Sequence, residues 1–131
     1  MEDIFVARLM SSDVVTVTPD TPVEDAANLL IDEQIGSVVV VDGANRLEGI
    51  LTSTDFVRIV AESHAKAETM VQKYMTEQVV TVGAQDPIRE AADKMITYGI
   101  HHLPVVDDRE GVVGMLSTTD LTAYLSDVEQ P

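Results

Sequence analysis

The sequence predicts a mixed α/β (α+β) fold built from two copies of one β-α-β-β-α unit. Three observations carry this: an ungapped internal repeat, a Pro-led amphipathic helix in each copy, and two short β-rich runs behind each helix. Shifted by about 65 residues, the chain falls on itself. Val14-Val15-Thr16-Val17 lands on Val79-Val80-Thr81-Val82, Pro22 on Pro87, Ala26-Ala27 on Ala91-Ala92, and Val40-Val41-Asp42 on Val105-Val106-Asp107. Gly49-Ile50-Leu51-Thr52-Ser53-Thr54-Asp55 lands on Gly114-Met115-Leu116-Ser117-Thr118-Thr119-Asp120. So many matches in one register mark a duplication.

Each unit opens with a β-rich run, Val14–Val17 or Val79–Val82. The helix behind it is announced by Thr21-Pro22-Val23-Glu24, which reads as an N-cap Thr, Pro at the first helical position and a capping-box Glu. Asp86-Pro87 repeats the cap and the Pro. Apolar residues recur at Val23, Ala26, Ala27, Leu30 and Ile31, and at Ile88, Ala91, Ala92, Met95 and Ile96, one helical stripe suited to packing on a sheet. Two strands follow, Val38–Val41 and Leu47–Leu51, turning through Asp42-Gly43-Ala44-Asn45. Their counterparts are Leu103–Val106 and Val112–Leu116, turning through Asp107-Asp108-Arg109-Glu110. A second helix starts at the Thr-Asp pair and runs through Phe56, Ile59 and Val60, or Leu121, Tyr124 and Leu125. Residues from about Ala61 to Met70 are polar and Ala-rich and read as a helical linker. The expected division is repeat 1 over 1–62, linker over 63–70 and repeat 2 over 71–131.

The bulk numbers fit one compact domain or two small halves sharing a core: the chain has 131 residues, and a half of roughly 60 is marginal alone. Hydrophobic residues make up 45% but aromatics only 4%, with no Trp, so the core is aliphatic. The absence of Cys excludes disulfides and thiolate metal sites. Met1-Glu2-Asp3 lacks a signal-peptide pattern, and no apolar run approaches a membrane span; a soluble, cytoplasmic protein is expected. Eight Lys plus Arg against 23 Asp plus Glu give a net charge of −15. That field disfavours nucleic acid and anionic lipid. It reads as adaptation to a salty cytoplasm, with an acidic face for a basic partner as the alternative.

No enzyme emerges. The glycines are scattered singly with no P-loop, and Ser, His and Asp form no nucleophile arrangement. Asp55 and Asp120 come one from each repeat, which duplication explains better than an acid/base pair. No catalytic residue and no metal ligand set is assigned, although His101-His102 beside carboxylates leaves a metal open as the lesser reading.

The element order, the Val-Val-Asp closing the second strand and the Gly-x-x-(Ser/Thr)-x-(Ser/Thr)-Asp ending each repeat resemble the cystathionine beta-synthase (CBS) domain family. The resemblance runs from about Val6 to Asp127, with His101-His102-Leu103-Pro104-Val105-Val106-Asp107 especially like the family's middle strand. It implies two repeats packed by pseudo-twofold symmetry, together a Bateman module, with ligand clefts between them and a tendency to homodimerise. It further implies a non-catalytic regulatory module without cofactor that signals to an unknown effector protein, while the acidic composition points to a salt-adapted archaeon as the source. An adenosine-containing ligand is its expected regulator.

The residues themselves suit such a ligand. Where the strand ends near Leu51, Thr52, Ser53 and Thr54 can cap the next helix while its free N–H groups attract a phosphate. Asp55, a carboxylate with two acceptor oxygens, suits a cis-diol such as ribose; plain helix capping is the competing reading. By resemblance, Asp55 and Asp120 hold ribose hydroxyls, with Thr52, Thr54, Ser117 and Thr119 near ribose or phosphate. Adenine is flanked by Val15, Thr16, Ile35 and Val38, or by Val80, Thr81, Ile100 and Leu103; the same residues also serve as ordinary core. The repeats differ where His101, His102 and Pro104 replace Gly36, Ser37 and Val39. The resemblance puts His101 toward phosphate, so the two clefts are expected to bind unequally. Basic residues are few, which favours AMP over ATP, with S-adenosylmethionine or another adenosine compound of low charge as alternatives. A ligand-free structural or protein-interaction module acting through dimerisation is the competing function.

Overall fold

The computed structural model describes residues 4–62 and 69–129. Its elements run α1 (Val6–Leu9), β1 (Thr16–Val17), α2 (Val23–Asp32), β2 (Ser37–Val41), β3 (Leu47–Thr52), α3 (Ser53–Ala61), a 3₁₀ turn (Val71–Lys73), α4 (Ile88–Tyr98), β4 (His102–Asp107), β5 (Gly111–Ser117) and α5 (Thr118–Glu129). Most of the segment expected to be a helical linker lies outside the described residues.

The chain forms two compact units, and their boundaries are not those of the repeat. One is Val15–Val79; the other takes the chain from Val80 onward together with the residues up to Val14. The stretch ahead of each repeat is therefore built into the unit that holds the other repeat's strands and helices.

In the Val15–Val79 unit, β1 pairs in parallel with β2, and β2 antiparallel with β3, in the order β1-β2-β3. Helix α2 makes the crossover between the parallel strands. β2 reads Ser-Val-Val-Val-Val and is buried along its whole length, as expected of a central strand. Val17, Ala26, Leu30, Val38, Val40 and Leu51 form the core, joined by Val71 from the stretch after α3. That stretch is a strap. Thr69 C=O accepts the Val23 N–H at 2.6 Å, Val71 N–H donates to Thr21 C=O at 2.8 Å, and Thr76 exchanges hydrogen bonds of 2.9 and 3.0 Å with Ile50.

The other unit repeats this arrangement. β4 and β5 pair antiparallel, and Val82 bridges in parallel to Val105. Val82, Ala91, Met95, Leu103, Val105 and Leu116 form a core completed by Val6 of the N-terminal strap. Ile4 C=O accepts the Ile88 N–H at 2.8 Å, Val6 N–H donates to Asp86 C=O at 2.9 Å, and Ser11 exchanges bonds of 2.8 and 2.9 Å with Met115. Val6 and Val71 are both fully buried.

Three details differ from the sequence reading. The capping box expected at Thr21 is absent: Pro22 and Pro87 are themselves the N-caps, without side-chain caps. The strap carbonyls of Thr69 and Ile4 take the first helical N–H groups instead. Thr21 accepts the Thr18 N–H and Asp86 the Gly83 N–H, each shaping its own turn. Secondly, Val79–Val82 forms only the Val82 bridge rather than a strand, because residue 104 is Pro and has no N–H to give. Thirdly, Ile31 and Ile96, read as part of the stripes that pack on a sheet, are 72% and 81% exposed, and Val60 and Leu125 of the second helices are 73% and 59% exposed. The buried stripes are narrower than the apolar ones.

The straps pass close to the strands. A methyl group built on Gly114 meets Met10 Sδ at 2.5 Å and Ser11 O at 3.0 Å, whereas Gly43 has nothing within 4 Å. Ser11 is held by its bonds to Met115 and cannot simply yield. Gly114→Ala is expected to cost about 1–3 kcal/mol through overpacking, with Gly43→Ala near neutral. Chemical denaturation of both variants checks this.

Candidate functional site

Helices α3 and α5 spring directly from the ends of β3 and β5, so the last strand residue of each is also a cap. Thr52 Oγ1 accepts the Asp55 N–H at 3.3 Å, and Asp55 Oδ2 accepts the Thr52 N–H at 2.8 Å and the Thr52 hydroxyl at 3.0 Å. Ser117 and Asp120 make the same reciprocal pair, at 3.2 Å into Ser117 Oγ and 2.9 Å into Asp120 Oδ2. Both are capping boxes with Asp in the place of Glu. The first helical N–H groups are also committed, Ser53 to Gly36 C=O at 2.9 Å and Thr118 to His101 C=O at 3.0 Å. Among the described residues, this leaves only the N–H groups of Thr54 and Thr119 unclaimed in each first half-turn. The helix starts thus offer a phosphate less than the sequence suggested.

The two carboxylates part company at their second oxygens. Asp55 Oδ1 faces Arg58 Nη1 at 3.6 Å. One repeat later, the residue matching Arg58 is Ala123, and Asp120 Oδ1 accepts no hydrogen bond from any described residue. Asp120 therefore keeps an open acceptor beside its cap.

The turns into β2 and β4 bring the other candidates alongside. Helices α2 and α4 end through left-handed residues, Gln34 (φ 54°) and Gly99 (φ 63°), and the chain re-enters the sheet through Ile35-Gly36 or Ile100-His101. All four are half-buried except His101, which is exposed. His102 is half-buried opposite Ser117 across the β4–β5 pair. Burial pushes its imidazole below the ordinary value, the neighbouring His101 pushes the same way, and the Asp120 carboxylate pulls against them. His102 and Asp120 are therefore electrostatically coupled.

The remaining candidates divide by depth. Val15, Val80 and Thr81 are half-buried, Thr16, Thr54 and Thr119 are exposed, and Thr52 and Ser117 are half-buried at the caps. Val38 and Leu103 are fully buried and belong to the cores, and Pro104 is among the largest fully buried side chains. Thus Val80, Thr81, Ile100, His101, His102, Ser117, Thr119 and Asp120 gather in one unit, and Val15, Thr16, Ile35, Gly36, Thr52, Thr54 and Asp55 in the other. Sequence reading missed Lys94, whose ammonium donates to the Thr81 carbonyl at 2.8 Å. Its counterpart in the first repeat is Leu29, and that break in the duplication is the signal that exposes it. Among the described residues, no three His, Cys, Asp or Glu side chains are placed to hold a metal, and no helix is long and apolar enough to cross a membrane.

Residues 6–62 and 71–127 each match the CBS domain. The chain belongs to the CBS domain family. This CBS pair is similar to a 17.7 kDa protein of Acidianus ambivalens, 33% identical over 123 residues that cover 94% of this chain and 74% of that one. It is 31% identical over 122 residues to homoserine O-acetyltransferase of Methanococcus vannielii, covering 93% of this chain and 25% of the enzyme. The CBS pair thus spans about a quarter of that enzyme's length. Among solved structures, a CBS domain pair in complex with 5′-methylthioadenosine and S-adenosyl-L-methionine superposes with a TM-score of 0.90 at 28% identity, over 98% of this chain and 100% of that one. A CBS-domain protein from Agrobacterium tumefaciens gives 0.81 at 30% identity, over 91% of each.

The coupling at His102 has a sign. With its folded pKa below the unfolded 6.5, the stability that neutral His102 brings is complete above pH 6.5 and is lost as pH falls through the folded value. Proton NMR titration should place His102 below 6.5, with Asp120→Ala lowering it further and His101→Ala raising it. Absence of any response to Asp120→Ala would remove the coupling.

Proposed function

We propose that this CBS pair is a non-catalytic regulatory module whose second repeat binds an adenosine compound of low charge, with AMP preferred to ATP. The observation that carries the reading is the open Oδ1 of Asp120. A carboxylate with one oxygen committed to a helix cap and the other unclaimed is a rigid, oriented acceptor for a sugar diol. Asp55, with Arg58 at its second oxygen, is the weaker candidate. The reading draws further support from the similar CBS pair solved with two adenosine compounds.

Charge argues for the preference. Near Asp120 stand the imidazoles of His101 and His102, the latter held toward its neutral form by burial, while Lys94 is committed to a carbonyl. A triphosphate ordinarily recruits several Arg or Lys, and the chain's −15 opposes a polyanion. Salt relieves that repulsion: the Debye length shrinks from about 10 Å at 0.1 M to about 3 Å at 1 M. An acidic, salt-adapted protein of the cytoplasm would work under that screening.

A second reading is favoured by the exposed apolar side chains. Ile31 and Val60 in one unit, and their repeat counterparts Ile96 and Leu125 in the other, are all more than half exposed. We propose that they are covered in a homodimer, and that an effector protein reads the state of that dimer. Ligand binding then acts by favouring one arrangement over another. Ile96→Glu should shift sedimentation toward the monomer.

Thermal shift at ~2 M salt with AMP, ADP, ATP, adenosine, S-adenosylmethionine and NAD tests the ligand class, since stabilisation must grow with ligand concentration. No shift with any would leave only the interaction module. Asp120→Asn keeps a capping acceptor but gives up the charged second oxygen, and should weaken adenosine compounds by about 1.5–3 kcal/mol, roughly ten- to a hundredfold. Asp55→Asn should leave that affinity unchanged. His101→Ala should weaken AMP more than adenosine.

A further inference from the structure

The motif that ends each repeat begins with a glycine, Gly49 or Gly114, to which the adenosine reading gives no task. Its neighbours supply one. A β-carbon built on Gly49 meets Met75 Sδ at 2.7 Å, Met75 Cγ at 2.9 Å and Thr76 O at 2.9 Å. One built on Gly114 meets Met10 Sδ at 2.5 Å, Ser11 O at 3.0 Å and Met10 Cγ at 3.1 Å. The thioether of each strap therefore fills the notch left by a missing side chain on the adjacent strand. Met10 and Met75 stand at the same offset as the two glycines, so the seat recurs with the fold. Immediately beyond each sulfur the strap is pinned by a pair of backbone hydrogen bonds. Ser11 exchanges bonds of 2.8 and 2.9 Å with Met115, and Thr76 exchanges bonds of 2.9 and 3.0 Å with Ile50.

The chain has no Cys, so its sulfur chemistry rests on methionine alone. Among the described residues, Met70 is exposed, Met95 is buried in a core, and Met10, Met75 and Met115 are half-buried. Met10 and Met75 each pack against the core of their own unit. A peroxide converts a thioether to a sulfoxide. The sulfur lone pair takes one peroxide oxygen, the O–O bond breaks, and the second oxygen leaves as water; sulfur is oxidised by two electrons and the peroxide reduced. The product is larger by one atom and carries a strong acceptor into a notch packed to contact. The strap carbonyls beside it, Ser11 O and Thr76 O, are acceptors too. A sulfoxide oxygen there either lies without a donor, at a desolvation cost, or competes for the Met115 and Ile50 N–H groups that pin the strap. Both outcomes loosen it.

We propose that Met10 and Met75 are paired oxidation sites, at which a peroxide unseats the thioether from its glycine notch and loosens the strap. Each strap also carries the valine that completes a core, Val6 or Val71, so oxidation weakens the unit to which that strap is pinned. Enzymatic reduction of the sulfoxide returns the thioether to its notch. The device is independent of the adenosine site and stands whether or not a nucleoside binds.

Graded hydrogen peroxide treatment of the full chain, read by mass spectrometry at each methionine and by amide exchange, tests the assignment. Met70 should react first and leave the Thr76 and Ile50 amides protected. Met10 and Met75 should follow, ahead of Met95, and exchange at Ser11 and Met115, or at Thr76 and Ile50, should then accelerate roughly three- to tenfold. Met10→Leu should spare the first pair of amides and Met75→Leu the second, each with the other unit as internal control. Methionine sulfoxide reductases acting on the oxidised wild-type chain should restore slow exchange, an arm that needs no variant to fold. Sulfoxide at Met10 and Met75 with exchange unchanged overturns the proposal. So does reaction of either only at the pace of Met95, or loosening that persists in the Leu variants, which would place it on Met70 or Met115. Exchange that stays fast after mass spectrometry shows the thioethers regenerated also overturns it.

Discussion

Everything in this fold depends on the exchange of straps. Val6 and Val71 are fully buried, each in the core of the unit that carries the other repeat's sheet. The strap carbonyls of Ile4 and Thr69 satisfy the first N–H groups of α4 and α2, which Pro87 and Pro22 cannot cap with a side chain. A lone repeat would lack both the buried valine and the helix-start acceptor that the other repeat's strap supplies. At roughly 60 residues it has little margin to lose them. The duplication is thereby held together: neither copy completes its core from its own residues.

The two units differ through single departures from the repeat. Backbone and caps are duplicated closely, so both units present a carboxylate at the strand-to-helix junction. Single substitutions then set the halves apart. Arg58 against Ala123 decides whether the carboxylate's second oxygen is engaged. Gly36 and Ser37 against His101 and His102 decide where the imidazoles stand, and Leu29 against Lys94 decides which carbonyl holds a cation. Each change acts through one hydrogen bond or one charge, on a scaffold that need not move to accommodate it.

Much of this was legible in the sequence because it is periodic. The repeat, the strands β2 to β5, the helices α2 to α5 and the Thr/Ser-x-x-Asp junctions follow from residue patterns whose physics is local. The straps were not found, although the same offset aligns Val6 with Val71 and Met10 with Met75, because their partners are distant in sequence and their own pattern is too short to read. The cap at Thr21 was misassigned for a related reason: the acceptor that replaces it is a strap carbonyl, invisible to local propensity. Ile31 and Ile96 were assigned to the packing stripe because an apolar stripe shows its own width and not the width of the surface that covers it. Of the candidate site, the paired Asp residues and the His pair were evident. The difference between Asp55 and Asp120 required knowing that Arg58 turns back toward its own helix start.

The central claim is that an adenosine compound engages the second repeat through Asp120. The most direct measurement is amide chemical-shift mapping on the full chain during titration with AMP at high salt. Perturbations concentrated at Val80, Ile100 to Leu103 and Ser117 to Asp120 are the predicted result. Shifts of equal size at Val15, Gly36 and Thr52 to Asp55, or a saturable response that avoids Asp120, would contradict it.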